Sequence, residues 1–300
     1  MDVRAVQEDT VPRIKEFLSG RKEFEYVGNW EPCFNYAWKL PNFPYGYAMF
    51  DGNEVVGFLG TMFSERTFKG RKAIHCNIHT WVVDDEFRSR LGAAGKGAGR
   101  HLIAPLIEMK DVLITAFTPS PRSKVSCERS GFVPLDEKQV VVPLPMSFFL
   151  RTPKKSKTIR FVAAHELSEI LTGEDRQIFA DHKDLPCRHF LLINDSNGEY
   201  CYFIATTSEI RKLGSRFKLN NLYLCYLSNI AFFEEHFLWI KKKLWTNERV
   251  ALLRYDSRLI PQQLSALKYT LPVLRLVRPG QPDLPDADDI YSELVAYNKY

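Results

Sequence analysis

The sequence predicts an α+β protein made of two units in tandem, each a mixed β-sheet flanked by helices. Three observations carry this. The chain has 300 residues, 45% hydrophobic and 26% charged, enough apolar mass for two ordinary domains. One order of elements, β-α-β-β-β-α-β, reads twice along it. Each copy also holds a hairpin signal, Asp51-Gly52-Asn53-Glu54 in the first and Asp195-Ser196-Asn197-Gly198 in the second.

In the first copy, Val3 to Val6 reads as a strand and Val11 to Leu18 as an amphipathic helix introduced by Asp9-Thr10-Val11-Pro12. An aromatic stretch follows, with Trp30, Phe34, Tyr36, Trp38, Phe43 and Tyr45 among turn residues. Tyr45 to Phe50 and Val55 to Phe63 flank the first hairpin turn, and Lys72 to Val83 is a further strand. A helix over 96–109 follows glycines, and Val112 to Phe117 is a strand. Lys124 to Ser130 is a short helix closed by Gly131, and Val140 to Leu144 is the last strand.

The second copy has weaker punctuation. Thr158 to Ala163 is a strand, and His165 to Asp181 holds a helix broken near Gly173. Arg188 to Ile193 and Tyr200 to Thr206 flank the second hairpin turn, and Leu222 to Leu227 is a strand. Phe232 to Trp245 is a helix with the apolar stripe Phe233, Phe237, Ile240 and Leu244. Glu234 and Glu235 open it and Lys241 to Lys243 close it, as a helix dipole prefers. Val250 to Tyr255 is the last strand. The expected boundaries are therefore 1–148, a basic linker at 149–157, a second domain at 158–280, and a Pro- and Asp-rich tail at 281–300.

A net charge of +5 is small for this length, and the densest basic run, Arg151 to Arg160, sits beside Pro153 between apolar stretches. That pattern suits a solvated linker first and a phosphate-contacting patch only second, so no nucleic-acid partner is expected. The six cysteines form no CxxC pair, which argues against zinc and a disulfide framework and for reduced thiols in a cytoplasm. No stretch has the length of a membrane span, and the N-terminus has no apolar core of an export signal. His165-Glu166-Leu167-Ser168-Glu169 lacks the second histidine of a zinc helix, and no G-x-S-x-G occurs.

The chemistry concentrates where the strand ending at Val83 runs through Asp84-Asp85-Glu86-Phe87-Arg88 into Gly95-Lys96-Gly97-Ala98-Gly99-Arg100 and a helix. Glycines before a helix start let backbone N–H groups close on an anion, and the helix dipole favours negative charge. The spacing matches neither the P-loop nor the dinucleotide fingerprint. It resembles motif A of the GNAT superfamily, R/Q-x-x-G-x-G/A. Val112 to Ser120, followed by a helix ending Ser130-Gly131-Phe132, is similar to the same family's fifth strand, fourth helix and terminal G-F.

The resemblance covers roughly 1–145. It implies an acyl-CoA-dependent N-acetyltransferase fold with acetyl-CoA as co-substrate and a small amine as acceptor, such as an amino sugar of surface-polysaccharide synthesis. It implies a CoA pyrophosphate site at Val83, Arg88, Gly95, Lys96, Gly97, Ala98, Gly99 and Arg100. The sequence departs from the motif in two ways: six residues separate Arg88 from Gly95, and Ala94 takes the Arg/Gln position. Many members carry a tyrosine four residues before the terminal glycine to protonate the leaving thiolate. Cys127 stands there, either as a substitute acid or as a small packed side chain.

Strand alternation puts His75, Asn77, His79 and Trp81 on one face and Ile74, Cys76, Ile78, Thr80 and Val82 on the other. His79 matches the position where arylalkylamine-type members place a general base, with Asn77 and His75 positioning the acceptor or a water. In the second copy the corresponding junction, Leu227 to Ala231, has no glycine, so that copy is expected to be degenerate. Two other readings differ in class: a non-catalytic binding or scaffold protein, and a tandem transferase using aminoacyl-tRNA.

Overall fold

The computed structural model describes residues 2–25, 27–68, 71–92, 97–144, 158–210, 219–260, 264, 268–278 and 289–297. The expected linker at 149–157, the tail over 281–288, and Gly95 and Lys96 lie outside them. The described residues form two compact units. The first takes the chain up to Leu135, joined by the chain from Leu274 and by Tyr291–Glu293, and the second takes Asp136–Val273, joined by the chain from Leu294.

The first unit opens with β1 (Asp2–Ala5) and α1 (Val11–Ser19), whose Val11, Ile14 and Leu18 are buried. Next come β2 (Gly46–Asp51), β3 (Glu54–Phe68), β4 (Arg71–Val83) and α2 (Asp85–Arg90). Then follow α3 (Ala98–Ile107), β5 (Val112–Ala116), α4 (Pro121–Arg129) and the start of β6 (Val133–Pro143). The sheet order is β1-β2-β3-β4-β5-β12, where β12 is Tyr269–Arg278. Pairing is antiparallel except between β4 and β5, which run parallel.

Helix α3 drives Leu102, Ile103 and Leu106 into a core with Met49, Leu59, Phe63, Cys76, Ile78 and Ile114. Each such side chain contributes roughly 1.5–3 kcal/mol relative to exposure. At the start of α2 the Asp84 carboxylate accepts from the Phe87 N–H at 2.8 Å and bridges Arg21 at 3.1 Å. Burial alone would raise the Asp84 pKa, but the Phe87 N–H and the Arg21 guanidinium hold it below its usual value.

The second unit holds β7 (Ile159–Phe161), α5 (Leu167–Ile170), α6 (Gly173–His182), β8 (Arg188–Asn194), β9 (Tyr200–Ile210) and β10 (Leu219–Leu227). It continues through α7 (Ile230–Glu235), α8 (Phe237–Glu248), β11 (Val250–Asp256) and α9 (Glu293–Tyr297), of which Glu293 belongs to the first unit. Its sheet order is β6-β11-β10-β9-β8-β7, with β10 and β11 parallel. Its core joins Phe203, Leu222, Leu253 and Tyr255 to Phe233, Phe237, Ile240 and Leu244.

The last strands are exchanged. β6 pairs with β11, Val142 opposite Leu253, while β12 pairs with β5, Leu276 opposite Ala116. Each unit is completed by a strand from the other half of the chain.

Two local expectations change. The helix expected over Phe232 to Trp245 is interrupted at His236. Glu234 and Glu235 therefore end α7 rather than open a longer helix, and Lys241 to Lys243 fall in the middle of α8, so the dipole argument does not apply to them. On β4 the alternation of faces fails at Thr80, as the site geometry shows.

Candidate active site

β4 and β5 pair in register from Ile74 with Val112 to Asn77 with Thr115, and no further. Beyond Asn77 they separate. On the other side of β4 the pairing with β3 slips: Gly60 faces His79, but Phe58 faces Val82. One extra β4 residue is accommodated there, and Thr80 takes φ +47°. This is a β-bulge, which re-aims the side chains beyond it.

The bulge corrects the expected faces of the strand. Cys76 and Ile78 before it and Val83 after it join one core, with Trp81 and Ile74 packed against that core. Trp81 thus leaves the polar face that His75, Asn77 and His79 share. Counting every second residue fails because Thr80 adds half a period to the strand.

Where β4 and β5 diverge, two adjoining cavities share Trp81 and Ser123. The outer one, about 120 Å³, is lined by Val83, Arg88, Gly99, Ser120, Arg122 and Ser126 as well. The inner one, about 40 Å³, reaches His79, Thr80, Thr118 and Cys127. They form a cleft from the start of α3 toward His79.

Of the expected anion-site residues, Val83, Arg88 and Gly99 line the outer cavity. Gly97 precedes α3 as its cap residue, and a Cβ built there would meet nothing within 4 Å. Gly99 lies against Trp81, where a Cβ would stand 3.2 Å from the indole Nε1. Ala98 faces the core, and Arg100 is exposed, outside the lining of both cavities. Arg88 is held at the cleft by bonds from its guanidinium to the Val83 carbonyl at 3.1 Å and to Asp85 at 3.3 Å. Arg90 instead pairs with Asp51 at 3.2 Å.

His79 is 4% exposed, and its Nδ1 lies 2.9 Å from Thr80 Oγ1 and 3.4 Å from Cys33 Sγ. Its ring covers Gly60 so closely that a Cβ there would lie 2.2 Å from Cε1. Only a glycine leaves room for the imidazole in this position. His75 Nε2 lies 2.8 Å from Thr115 Oγ1, and the Asn77 amide donates to the same hydroxyl at 3.3 Å. The Asn77 carbonyl accepts from the Glu293 N–H at 3.3 Å. Asn77 and His75 are thus buried beside the cleft, and neither lines it.

Cys127 does line the inner cavity but is 1% exposed and packs in the core. Burial, with a smaller contribution from Glu128, pushes its thiol up to about 12. A free thiol titrates near 8.5, so a proton on Cys127 would move uphill to a leaving thiolate of ordinary basicity.

Sequence reasoning missed Gly60, Cys33, Thr118, Arg122, Ser123 and Glu293. Arg122 is exposed at the cleft mouth, 3.4 Å from the same Asp85 oxygen that Arg88 contacts. Ser120 caps α4, its Oγ accepting from the Ser123 N–H at 3.1 Å, a signal available in Ser120-Pro121. Glu293 is 1% exposed and accepts from the Thr118 hydroxyl at 2.8 Å. Nothing in local sequence links residues 175 positions apart.

In the second unit, the junction before α7 is closed by Asn229, whose side chain accepts from the Phe232 N–H at 3.0 Å. Among the described residues no group of three or more His, Cys, Asp or Glu could hold a metal ion. No helix among them is long and apolar enough to cross a membrane. All six cysteines are free thiols.

No model of a protein family and no curated protein matches the sequence. Solved structures do match. A GCN5-related N-acetyltransferase from Anabaena variabilis is similar at 10% identity and a TM-score of 0.57, over 92% of this chain and 72% of that one. One from Kribbella flavida is similar at 12% identity and a TM-score of 0.50, over 92% and 71%. Eis1 from Mycobacterium abscessus is similar at 14% identity and a TM-score of 0.50, over 92% and 72%.

Proposed function

The chain carries the GNAT acyltransferase fold, and we propose that it transfers an acetyl group from acetyl-CoA to a small amine. The observation that carries this reading is the cleft opened where β4 and β5 part beyond Asn77. A CoA pyrophosphate at the start of α3 would meet the backbone of Gly97, Ala98 and Gly99, with Gly95 and Lys96 just upstream. Val83 would border it, and the cations of Arg88, Arg122 and Arg100 would balance its charge. An inner cavity of about 40 Å³ suits a short acyl group.

In this reading the thioester carbonyl lies in the inner cavity near His79. The imidazole takes the proton of the acceptor ammonium, the free amine attacks the carbonyl carbon, the C–S bond breaks to release the CoA thiolate, and the surplus proton of the new amide nitrogen passes through water to that thiolate. Holding both substrates in one cleft supplies proximity, so no covalent enzyme intermediate is needed. Asn77 and His75 hold β4 against Thr115, which fixes the strand that carries His79. Cys127 serves as wall rather than acid. An amino sugar is the first acceptor to try.

Calorimetry with acetyl-CoA tests the donor site. One molecule should bind per chain, because the corresponding junction of the second unit, Leu227 to Ala231, has no glycine. Gly97→Val should abolish binding in a folded protein, since a Cβ at this position meets nothing within 4 Å in the free protein. Unchanged affinity, or two molecules bound per chain, would overturn this reading. A CoA-binding protein without turnover is a second reading, favoured by the buried thiol of Cys127 where many relatives carry a tyrosine. Binding without transfer to any of a panel of amines would select it.

A further inference from the structure

The second unit has a cavity of its own, about 540 Å³, between the end of its sheet and α8. That volume lies in the range of small-molecule sites, roughly 300–1,000 Å³. It owes nothing to the glycine motif and has no counterpart in the acyl-transfer reading.

Its walls combine two features. One is an aromatic shelf: Phe161 and Trp239 stack with ring centroids 5.2 Å apart and planes 17° from parallel, and Phe190 stands edge-on to Phe161 at 6.2 Å. Phe161 and Trp239 are only partly buried, so the shelf keeps apolar area open. The other is charge. Three cations line the cavity: Arg160, Arg188 and Lys243. Arg160 is matched by Asp195 at 3.1 Å and Glu166 at 3.3 Å, and Arg188 by Glu248.

Lys243 has no carboxylate within ion-pair distance among the described residues, and its ammonium lies 5.7 Å from the Trp239 ring centroid. Trp239, Lys243 and Asn247 follow at four-residue steps on α8, so one helix face presents ring, cation and amide in line.

We infer that this cavity binds a planar aromatic molecule carrying a single negative charge, such as a bicyclic carboxylate. The rings extend the Phe161–Trp239 stack, and the carboxylate pairs with Lys243. One unmatched cation calls for one anionic group, and offset ring stacking favours a flat partner.

The test uses 2-naphthoate as probe, titrated calorimetrically into the protein of residues 1–300. Saturable binding of one molecule per chain is expected. Lys243→Gln removes the charge at a partly exposed position and should weaken binding at least tenfold, with circular dichroism unchanged. Trp239→Leu should weaken it comparably, and the uncharged 2-naphthamide should bind wild type at least tenfold more weakly than the acid. Acetyl-CoA at saturation should leave the titration unchanged. Absence of saturable binding, a Lys243→Gln affinity equal to wild type, or competition by acetyl-CoA would each overturn the inference. None of these outcomes depends on whether the first unit transfers acyl groups.

Discussion

His79 and Gly60 act as a pair, because the imidazole occupies the volume a side chain at 60 would need. If His79 is the general base, His79→Ala should lower kcat by about 10²-fold or more with little change in acetyl-CoA affinity. Gly60→Ala should lower kcat too, by displacing the ring rather than removing it. Steady-state kinetics with an accepted amine, beside calorimetry with acetyl-CoA, checks both. Full activity in His79→Ala would move the base elsewhere. At the cleft mouth, Arg122→Ala should weaken acetyl-CoA binding several-fold at low salt and less at high salt, since exposed charges are screened over about 10 Å at 0.1 M. Calorimetry at two ionic strengths reads the difference.

Among the elements, α2 depends most visibly on one side chain. Asp84 is its cap and anchors Arg21. Loss of an aspartate cap costs about 1 kcal/mol, so Asp84→Ala should lower the melting temperature by a few degrees. The pKa of Asp84 is depressed in the folded state, so its contribution is fully present above the unfolded value, about 3.9, and is lost as pH falls through the folded one. The melting temperatures of wild type and Asp84→Asn should therefore differ at pH 7 and converge as the pH falls below the usual carboxylate value. A gap independent of pH would show that the carboxylate charge contributes nothing.

For the whole molecule, the exchanged strands have a consequence for folding. Residues 1–135 alone leave the β5 edge from Ile114 to Ala116 without its partner on β12 and lack the Arg275 guanidinium that donates to the Phe117 carbonyl at 2.5 Å. A buried strand edge without a partner leaves backbone groups unsatisfied and invites aggregation. That fragment should be insoluble or lack a cooperative melt, and co-expression with residues 136–300 should restore both. A fragment that melts cooperatively by itself would show that β12 is dispensable.

The sequence by itself determined the α+β class, both hairpins and the glycine-led start of α3, because these rest on local periodicity and turn chemistry. It also singled out His79, through a polar face on an otherwise apolar strand. Local pattern did not reveal the break at His236, across which Phe232, Phe233 and Phe237 all pack into one core. Nor could it foresee the bulge at Thr80, since one inserted residue changes no composition yet turns Trp81 toward the core. Strand exchange, the Gly60–His79 contact and the Thr118–Glu293 bond were decided only by tertiary structure. They join residues far apart in the chain, and hydrogen bonding and close packing depend on distance in space, which strand order along a sequence does not specify.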